Sequence, residues 1–201
     1  MKIPLFPLDL VLFPGAPLPL HIFEPRFREM VAECLATNTL FGVVRAERDG
    51  LAVIGCSAQI VRVLHSYPDG RSDILTQGMD RFEIDQIDDS RSFLQADVTV
   101  LPDMGEPSIR AAREECVAMH FEILSLLGIA ENSLHLSLDA PVAYLLAAAV
   151  PGDLDFQQAL LAMRSDRART ETLLAYYREL LPKLRRNKHA ARQASTNGHI
   201  M

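Results

Sequence analysis

Lysine is almost absent from this chain, whose 201 residues include only Lys2, Lys183 and Lys188. A phosphate-binding P-loop needs a lysine at the start of a helix, in the pattern GxxxxGK followed by serine or threonine. The sequence contains no such pattern. These residues therefore cannot form the P-loop of an ATPase.

Cysteine and histidine are too few or too scattered for several kinds of site. The three cysteines, Cys34, Cys56 and Cys116, are an odd number without paired spacing, so we expect no disulfide framework. The histidines form no HExxH motif, and only His135 and Asp139 have a spacing that a pair of metal ligands could use. Because that region precedes a predicted helix, we predict no metal site and no cofactor.

Positive charge and long apolar runs are scarce as well. The net charge of −6 disfavours nucleic acid and anionic membranes as partners. The longest apolar run, residues 142–150, is too short to span a bilayer, and the opening residues lack the features of a signal peptide. With 49% hydrophobic and 23% charged residues, the composition is typical of a globular protein, and we expect it in the cytoplasm.

The opening segment is, by contrast, rich in proline and in large apolar residues. Six prolines among the first 25 residues exclude a helix there, because proline has no N–H to donate and cannot continue a helix. Short extended pieces are therefore predicted, with a turn at Pro14-Gly15. A helix is predicted to begin at Glu24-Pro25, and its apolar face comprises Phe27, Met30, Val31, Cys34 and Leu35.

The opening string, PLFPLDLVLFPGAPLPLHIFEPRFREMV, closely resembles the start of the N-terminal, substrate-binding domain of the Lon protease family. It is most similar to free-standing bacterial proteins that consist of little else. Residues 41–44, 55–60 and 78–84 match further stretches of that family in the expected order. The resemblance implies an α+β fold, with a PUA-like β pseudo-barrel followed by a C-terminal four-helix bundle, and a role in binding unfolded or partner polypeptides. Full-length Lon enzymes use a Ser–Lys pair for proteolysis, and no lysine lies between Lys2 and Lys183 to form one.

The residues after the first helix predict the strands of the barrel, which we assign to residues 1–103. Segments 41–46 and 51–64 predict a hairpin, and Pro68-Asp69-Gly70 predicts a turn that pairs residues 60–67 with 72–77. Gly55 indicates a bulge or a bend, and Gly78 a break between strands. Residues 81–85 and 93–101 alternate as half-buried strands do.

A linker at Pro102–Pro107 precedes the predicted helical bundle, residues 107–185. Helices are predicted at residues 108–127, 140–149, 155–163 and 166–184, with Asp139 capping the second and Pro182 weakening the end of the last. The inner side of the first is predicted to carry Ile109, Ala112, Cys116, Met119, Ile123 and Leu127. Residues 186–201 predict a basic, disordered tail.

The candidate binding surface is apolar. The opening segment and the turn at residues 78–82 carry more apolar side chains than a small barrel easily buries. We predict a groove for an extended hydrophobic peptide, formed by Leu18, Leu20, Phe23, Phe27, Met79 and Phe82. The alternative is that all six belong to the core, since such residues are mostly buried.

A polar rim for this groove is predicted from Tyr67, Pro68 and Arg81. We favour a different role for Arg81, as a structural clamp on Asp80, on Asp85 or on the carbonyl of a turn.

These observations together predict a non-catalytic module that recognises unfolded or extended polypeptides or a partner protein, with a homodimer left open. One alternative is a small-molecule sensor, because the resemblance extends to the ligand-binding protein cereblon. Cereblon binds its ligands in a separate zinc domain with paired CxxC motifs, which this chain lacks. The other alternative is a hydrolase that uses Cys56 or a serine, but no GxSxG elbow is present and Cys56 lies within a predicted strand.

Overall fold

The structure is a computed structural model that describes residues 1–129, 138, 142–149 and 153–197. The chain divides into two compact units. The first contains Met1–Asp103 and a later segment that ends at Arg164, and the second contains the remaining helices. No helix among the described residues is long and apolar enough to cross a membrane.

Seven strands and two helices form the first unit. The strands are β1 Lys2–Leu8, β2 Pro17–Ile22, β3 Phe41–Glu47, β4 Gly50–Leu51, β5 Ile54–Ser66, β6 Ser72–Asp88 and β7 Gln95–Val100. The helices of this unit are α1 Pro25–Thr37 and α4 Leu154–Ala162. The second unit contains α2 Arg110–Leu127, α3 Ala143–Ala149 and α5 Asp166–Asn197.

The sheet of the first unit closes into a ring of paired strands. The order is β1, β7, β6, β5 and β3, and β3 returns to pair with β1. Every pairing in the ring is antiparallel except that of β1 with β3, which is parallel. A closed ring has no edge strands and buries its inward-facing side chains, which agrees with the predicted α+β fold with a barrel. The strands are not all short as predicted, because β5 and β6 have 13 and 17 residues.

Phe82 is central to the hydrophobic core inside this ring. Its side chain is 1% exposed and packs with a cluster comprising Ile3, Leu5, Val44, Ala96 and Val98. Gly42 and Gly55 leave space for the phenyl ring of Phe82, since a Cβ at either position would lie 2.6 Å from Phe82 Cζ. The bulge predicted at Gly55 is wrong, because Gly55 pairs directly with Phe82 and the register shifts beyond Cys56 instead.

Arg81, the neighbour of Phe82, fastens α4 to the strands. Its side chain is 3% exposed, and Nη1 donates to the carbonyls of Leu161 at 2.8 Å and Met163 at 2.7 Å. Nη2 donates to the carbonyl of Leu101 at 3.1 Å and to Asp103 Oδ1 at 2.7 Å. Arg81 is therefore a clamp on carbonyls, as favoured from the sequence, but its acidic partner is neither Asp80 nor Asp85.

The position of α4 differs from the sequence-based prediction, which placed it in a four-helix bundle. Asp153 caps its first turn by accepting from the N–H of Asp155, and Asp155 Oδ1 lies 2.6 Å from Arg45 Nη1. Gln158 Nε2 donates to the carbonyl of Ile54. Contacts with strand residues thus assign α4 to the first unit, and three described helices form the second.

Helices α2 and α5 of the second unit run parallel to each other. Side chains of α5 contact α2 residues that precede them by a constant 63 positions, as in Arg178 with Glu115 and Arg185 with Glu122. Lys188 donates to the carbonyl of Ser125 at the same offset. A constant offset means that both helices advance in the same direction along the interface.

The interface between α2 and α5 buries a polar pair. His120 and Tyr177 are both 0% exposed, and His120 Nδ1 lies 2.9 Å from the Tyr177 hydroxyl. Burial lowers the pKa of His120 to about 4 and raises that of Tyr177 well above its usual range. Both side chains are therefore neutral in the folded protein at neutral pH.

Several details of the helices differ from the prediction. Helix α5 continues through Pro182 to Asn197, so much of the predicted disordered tail is helical in the structure. Residues 183–197 contain no glycine or proline and are rich in good helix formers, and Arg185 bonds Glu122 through two nitrogens.

Two residues of α2 that were predicted to face inward, Ile109 and Leu127, are exposed. Leu35 of α1, predicted on its apolar face, is exposed as well. The predicted cap Asp139 and the pair His135–Asp139 lie outside the described residues.

Replacing Arg81 with methionine should destabilise the chain by about 3–5 kcal/mol, because the carbonyls that Arg81 bonds would be left without their donor. Urea unfolding followed by circular dichroism measures the change. Arg48→Met is the matched control, because Arg48 is exposed, and its effect should be below about 0.5 kcal/mol. Equal stability of the two variants would contradict the clamp.

The free energy of unfolding should fall as the pH drops from about 6.5 towards 4, because unfolded His120 takes up a proton that the buried side chain resists. The contribution of His120 to the free energy of unfolding is fully present above the ordinary histidine pKa of about 6.5. It is lost as the pH falls towards the folded pKa of about 4. His120→Gln removes the titrating group, so the difference between the two pH profiles isolates it. Profiles of identical slope between pH 4 and about 6.5 would show that His120 is not the cause.

Candidate functional site

Outside the closed ring, three strand segments form a ribbon. We define the ribbon as β2, the second half of β5 from Gln59 to Ser66, and the first half of β6 from Ser72 to Gln77. The β6 segment is the middle strand, with β2 on one side and β5 on the other. The ribbon forms because β5 and β6, of 13 and 17 residues, extend beyond the strands that complete the ring.

A backbone contact at Gly78 positions β2 on the ribbon. The Gly78 N–H donates to the carbonyl of Ala16 at 2.9 Å, and the Gly15 N–H donates to the carbonyl of Gly78 at 2.8 Å. A Cβ at Gly78 would lie 2.1 Å from the Phe13 oxygen, so only glycine fits. The strand break predicted at Gly78 is therefore wrong, because β6 continues through it and the glycine admits a neighbouring loop.

Several exposed apolar side chains lie on the ribbon and beside it. Val61, Val63 and Leu64 of β5 are 55%, 38% and 46% exposed. Phe23, just after β2, is 58% exposed, and Met79, just beyond the β6 segment, is 39% exposed. Apolar side chains gathered on one exposed element are typical of a surface that binds another polypeptide.

A row of aromatic rings crosses the ribbon. His21 stacks on Phe23 with centroids 5.9 Å apart, and Tyr67 meets the edges of His21 at 5.8 Å and His65 at 4.4 Å. Asp73 lies within this row, with Oδ1 2.6 Å from His21 Nδ1, and its Oδ2 accepts from the Tyr67 hydroxyl at 2.8 Å. Hydrogen bonds from His21 and Tyr67 hold the pKa of Asp73 below its usual range, so a carboxylate joins β2 to β6 here.

The six residues predicted to form the groove separate into two groups. Phe27 and Phe82 are 6% and 1% exposed and belong to the core, because their rings fill the space beneath α1 and inside the ring of strands. Leu18 and Leu20 are half-buried on β2, and Phe23 and Met79 are exposed. Of the predicted rim, Tyr67 lies in the aromatic row, whereas Arg81 is buried in its clamp.

Sequence reasoning missed the exposed residues of β5 and the pairing of Asp73 with His21. The signal for β5 was present, since adjacent Val63 and Leu64 break the alternation expected of a half-buried strand. The structure places β-bulges there, with register shifts between Ile60 and Arg62 and between Val63 and His65. Each bulge adds a residue that has no partner on β6.

Other candidate sites are weaker. Burial raises the pKa of the Cys56 thiol to about 12, and the residue is 0% exposed, so it lacks the reactive thiolate of a nucleophile. Among the described residues, no three His, Cys, Asp or Glu side chains are arranged to hold a metal ion. A shallow cleft of about 470 Å³ lies beside Lys2 and Glu33, but these side chains are already paired with Asp88 and Arg91.

Comparisons with known proteins agree on one family. The family described as the ATP-dependent protease La (LON) substrate-binding domain matches residues 2–179. Lon protease of Parabacteroides distasonis is 36% identical over 110 residues, and Lon protease of Amoebophilus asiaticus is 25% identical over 186 residues. These matches cover 50% and 83% of this chain but only 13% and 22% of the relatives.

Solved structures with the same fold come from two further organisms. A Lon N-terminal domain protein from Xanthomonas campestris has a TM-score of 0.71 and 25% identity, with 88% of this chain and 98% of that one covered. The N-terminal domain of Lon protease from the Mycobacterium avium complex has a TM-score of 0.63, over 88% of this chain and 98% of that one, and at 16% identity shows the fold alone. With the match over residues 2–179, these findings show that the chain belongs to the Lon substrate-binding domain family.

Proposed function

We propose that this chain is a non-catalytic module that recognises unfolded or extended polypeptides. The family to which it belongs is described as substrate-binding, and the chain spans less than a quarter of the length of the Lon proteases that it matches. The sequence also lacks the lysines that a P-loop ATPase or a Ser–Lys protease needs. We further propose the cytoplasm as its compartment, which three buried cysteines without disulfides favour.

The observation that carries the proposal is the group of exposed apolar side chains on and beside the ribbon, including three from one segment of β5, Val61, Val63 and Leu64. We propose a binding surface that retains four residues of the sequence-based groove and adds three from β5: Leu18, Leu20, Phe23, Met79, Val61, Val63 and Leu64. Phe27 and Phe82 are left out because they are buried. Burying one side chain such as that of Phe23 or Met79 stabilises a complex by about 1.5–3 kcal/mol.

This surface suits weak binding with little sequence preference. Apolar contacts do not depend on a fixed pattern of charge, so many hydrophobic segments satisfy them. A flexible ligand loses conformational entropy on binding, which costs several kcal/mol and offsets much of the contact energy. We therefore expect dissociation constants in the micromolar range or weaker, with little dependence on salt because few charges take part.

The purified chain should hydrolyse neither ATP nor casein, because the lysines needed for both activities are missing. A coupled phosphate-release assay and a labelled-casein assay measure the two activities. Turnover that stays with the protein through successive chromatographic steps would contradict the proposal. A trace that separates from the protein peak identifies a contaminant.

Phe23→Asp and Met79→Asp should each weaken the binding of labelled casein by roughly tenfold or more, because each removes an apolar contact and adds a charge. Fluorescence anisotropy measures the affinity, and thermal unfolding should stay nearly unchanged because both side chains are exposed.

Ile87→Asp is the matched control, since Ile87 is 46% exposed on β6 but lies outside the ribbon, and its affinity for casein should be unchanged. Leu174→Asp is the core control and should unfold the second unit, because Leu174 is 4% exposed. Equal losses for Phe23, Met79 and Ile87 would place the binding surface elsewhere.

A further inference from the structure

The second half of β5 has a free edge. β3 pairs with β5 only at Cys56–Ala58, and among the described residues no strand pairs with Gln59–Ser66 on the side away from β6. Residues 61–66 are all exposed. An edge of this kind presents backbone N–H and C=O groups that no neighbouring strand bonds.

The prolines of β2 reveal which backbone groups of the ribbon point outward. Proline has no N–H, so Pro17 and Pro19 occupy the β2 positions that face away from β6. The alternate residues of β2 then exchange hydrogen bonds with Thr76 and Ile74, their partners on β6. The backbone groups of Thr76 and Ile74 are therefore directed at β2.

The same alternation determines the direction of the β5 backbone. Ile60 lies opposite Thr76, and Val63 lies opposite Ile74. Because Thr76 and Ile74 direct their backbone groups at β2, Ile60 and Val63 have theirs directed away from β6. Ser66 occupies the next position of this kind.

The two outer edges of the ribbon are therefore unlike. On β2 the outward positions are Pro17, Pro19 and His21, and only His21 has an N–H to offer. No proline lies anywhere in β5, Ile54–Ser66, so its outward donors are intact. Prolines on the β2 edge block the addition of another strand, whereas the β5 edge carries two bulges, which leave its outward N–H groups in place.

We infer that an extended segment of an unfolded polypeptide adds to the free edge of β5 as a further strand. Val61, Val63 and Leu64 contact its apolar side chains. The inference rests on the proposed function and specifies where and how the polypeptide binds. Backbone groups along a strand edge are paired by another extended backbone, which determines the chemical class of the ligand.

The family description favours an unfolded chain over a second copy of this protein as the added strand, because that family is described as substrate-binding. The outward residues Ile60, Val63 and Ser66 are three positions apart, because Val61 and Leu64 are extra residues in the strand. A regular strand presents such groups at every second position. Two β5 edges with this spacing also match each other when they pair antiparallel about Val63, so sedimentation of the unchanged chain distinguishes a second copy from an unfolded segment that adjusts its backbone.

Val63→Pro tests the inference, because it removes an outward donor and leaves the donors directed at β6 in place. Fluorescein-labelled casein is the unfolded probe, titrated by fluorescence anisotropy. We expect the dissociation constant to rise about tenfold with the loss of one backbone hydrogen bond. Val63→Ala, the matched control, keeps the N–H and trims the side chain, so its effect should be clearly smaller.

Residue-resolved hydrogen exchange of the unchanged chain gives a second measurement that needs no substitution. Casein should protect the amides of Ile60, Val63 and Ser66, while that of Leu18, already bonded to β6, should change little. Protection confined to Phe23 and Met79, or parental affinity in a folded Val63→Pro variant, would overturn the inference and leave the proposed function intact.

Two other outcomes reject the inference in different ways. If the unchanged chain does not bind casein at all, the proposed function fails and the inference fails with it. If the unchanged chain dimerises in sedimentation experiments and Val63→Pro abolishes the dimer, a second copy occupies the β5 edge. That result would overturn the inference about the ligand.

Discussion

The first unit depends on the hydrogen bonds that the buried guanidinium of Arg81 donates. A buried cation is tolerated only when its N–H groups are bonded, and here backbone carbonyls and one carboxylate accept them. Two of those carbonyls, from Leu161 and Met163, belong to the end of α4, about 80 residues further along the chain. Because adjacent strand residues point to opposite faces, Arg81 holds α4 while Phe82 fills the core. One dipeptide of β6 thus joins the helix to the ring of strands.

The long strands β5 and β6 divide their residues between two tasks. Within the ring they bury side chains such as Cys56 and Phe82, which are 0% and 1% exposed. Beyond the ring, Ile74 and Thr76 of β6 are still 0% exposed, whereas Val61, Val63 and Leu64 of β5 remain in contact with water. Exposed apolar surface of this kind lowers solubility and stability unless another molecule covers it. Val61, Val63 and Leu64 lie within four residues of one strand, which is why the proposed binding surface includes β5.

Electrostatic contacts differ in weight between the surface and the interior. The ion pairs Arg178–Glu115 and Arg185–Glu122 are exposed, so each contributes about 0–1 kcal/mol and chiefly aligns α5 with α2. The His120–Tyr177 pair is fully buried, and although His120 Nε2 has no partner, separating Nδ1 from the Tyr177 hydroxyl would leave two more buried polar atoms unpaired and would cost more than an exposed pair gains. Register in the second unit therefore depends more on the buried pair than on the surface charges.

The sequence alone determined the family, the α+β class, most element positions and the absence of a P-loop motif, because these depend on local pattern and composition. Proline placement excluded a helix at the start, and apolar spacing located α1 and α2. The sequence could not show that α4 joins the strand unit, since that depends on Arg81 donating hydrogen bonds to carbonyls that are distant in sequence. Nor could it separate Phe23 and Met79, which are exposed, from Phe27 and Phe82, which are buried. Only tertiary packing decides which of several apolar residues face water and which are buried, because their side chains are chemically alike.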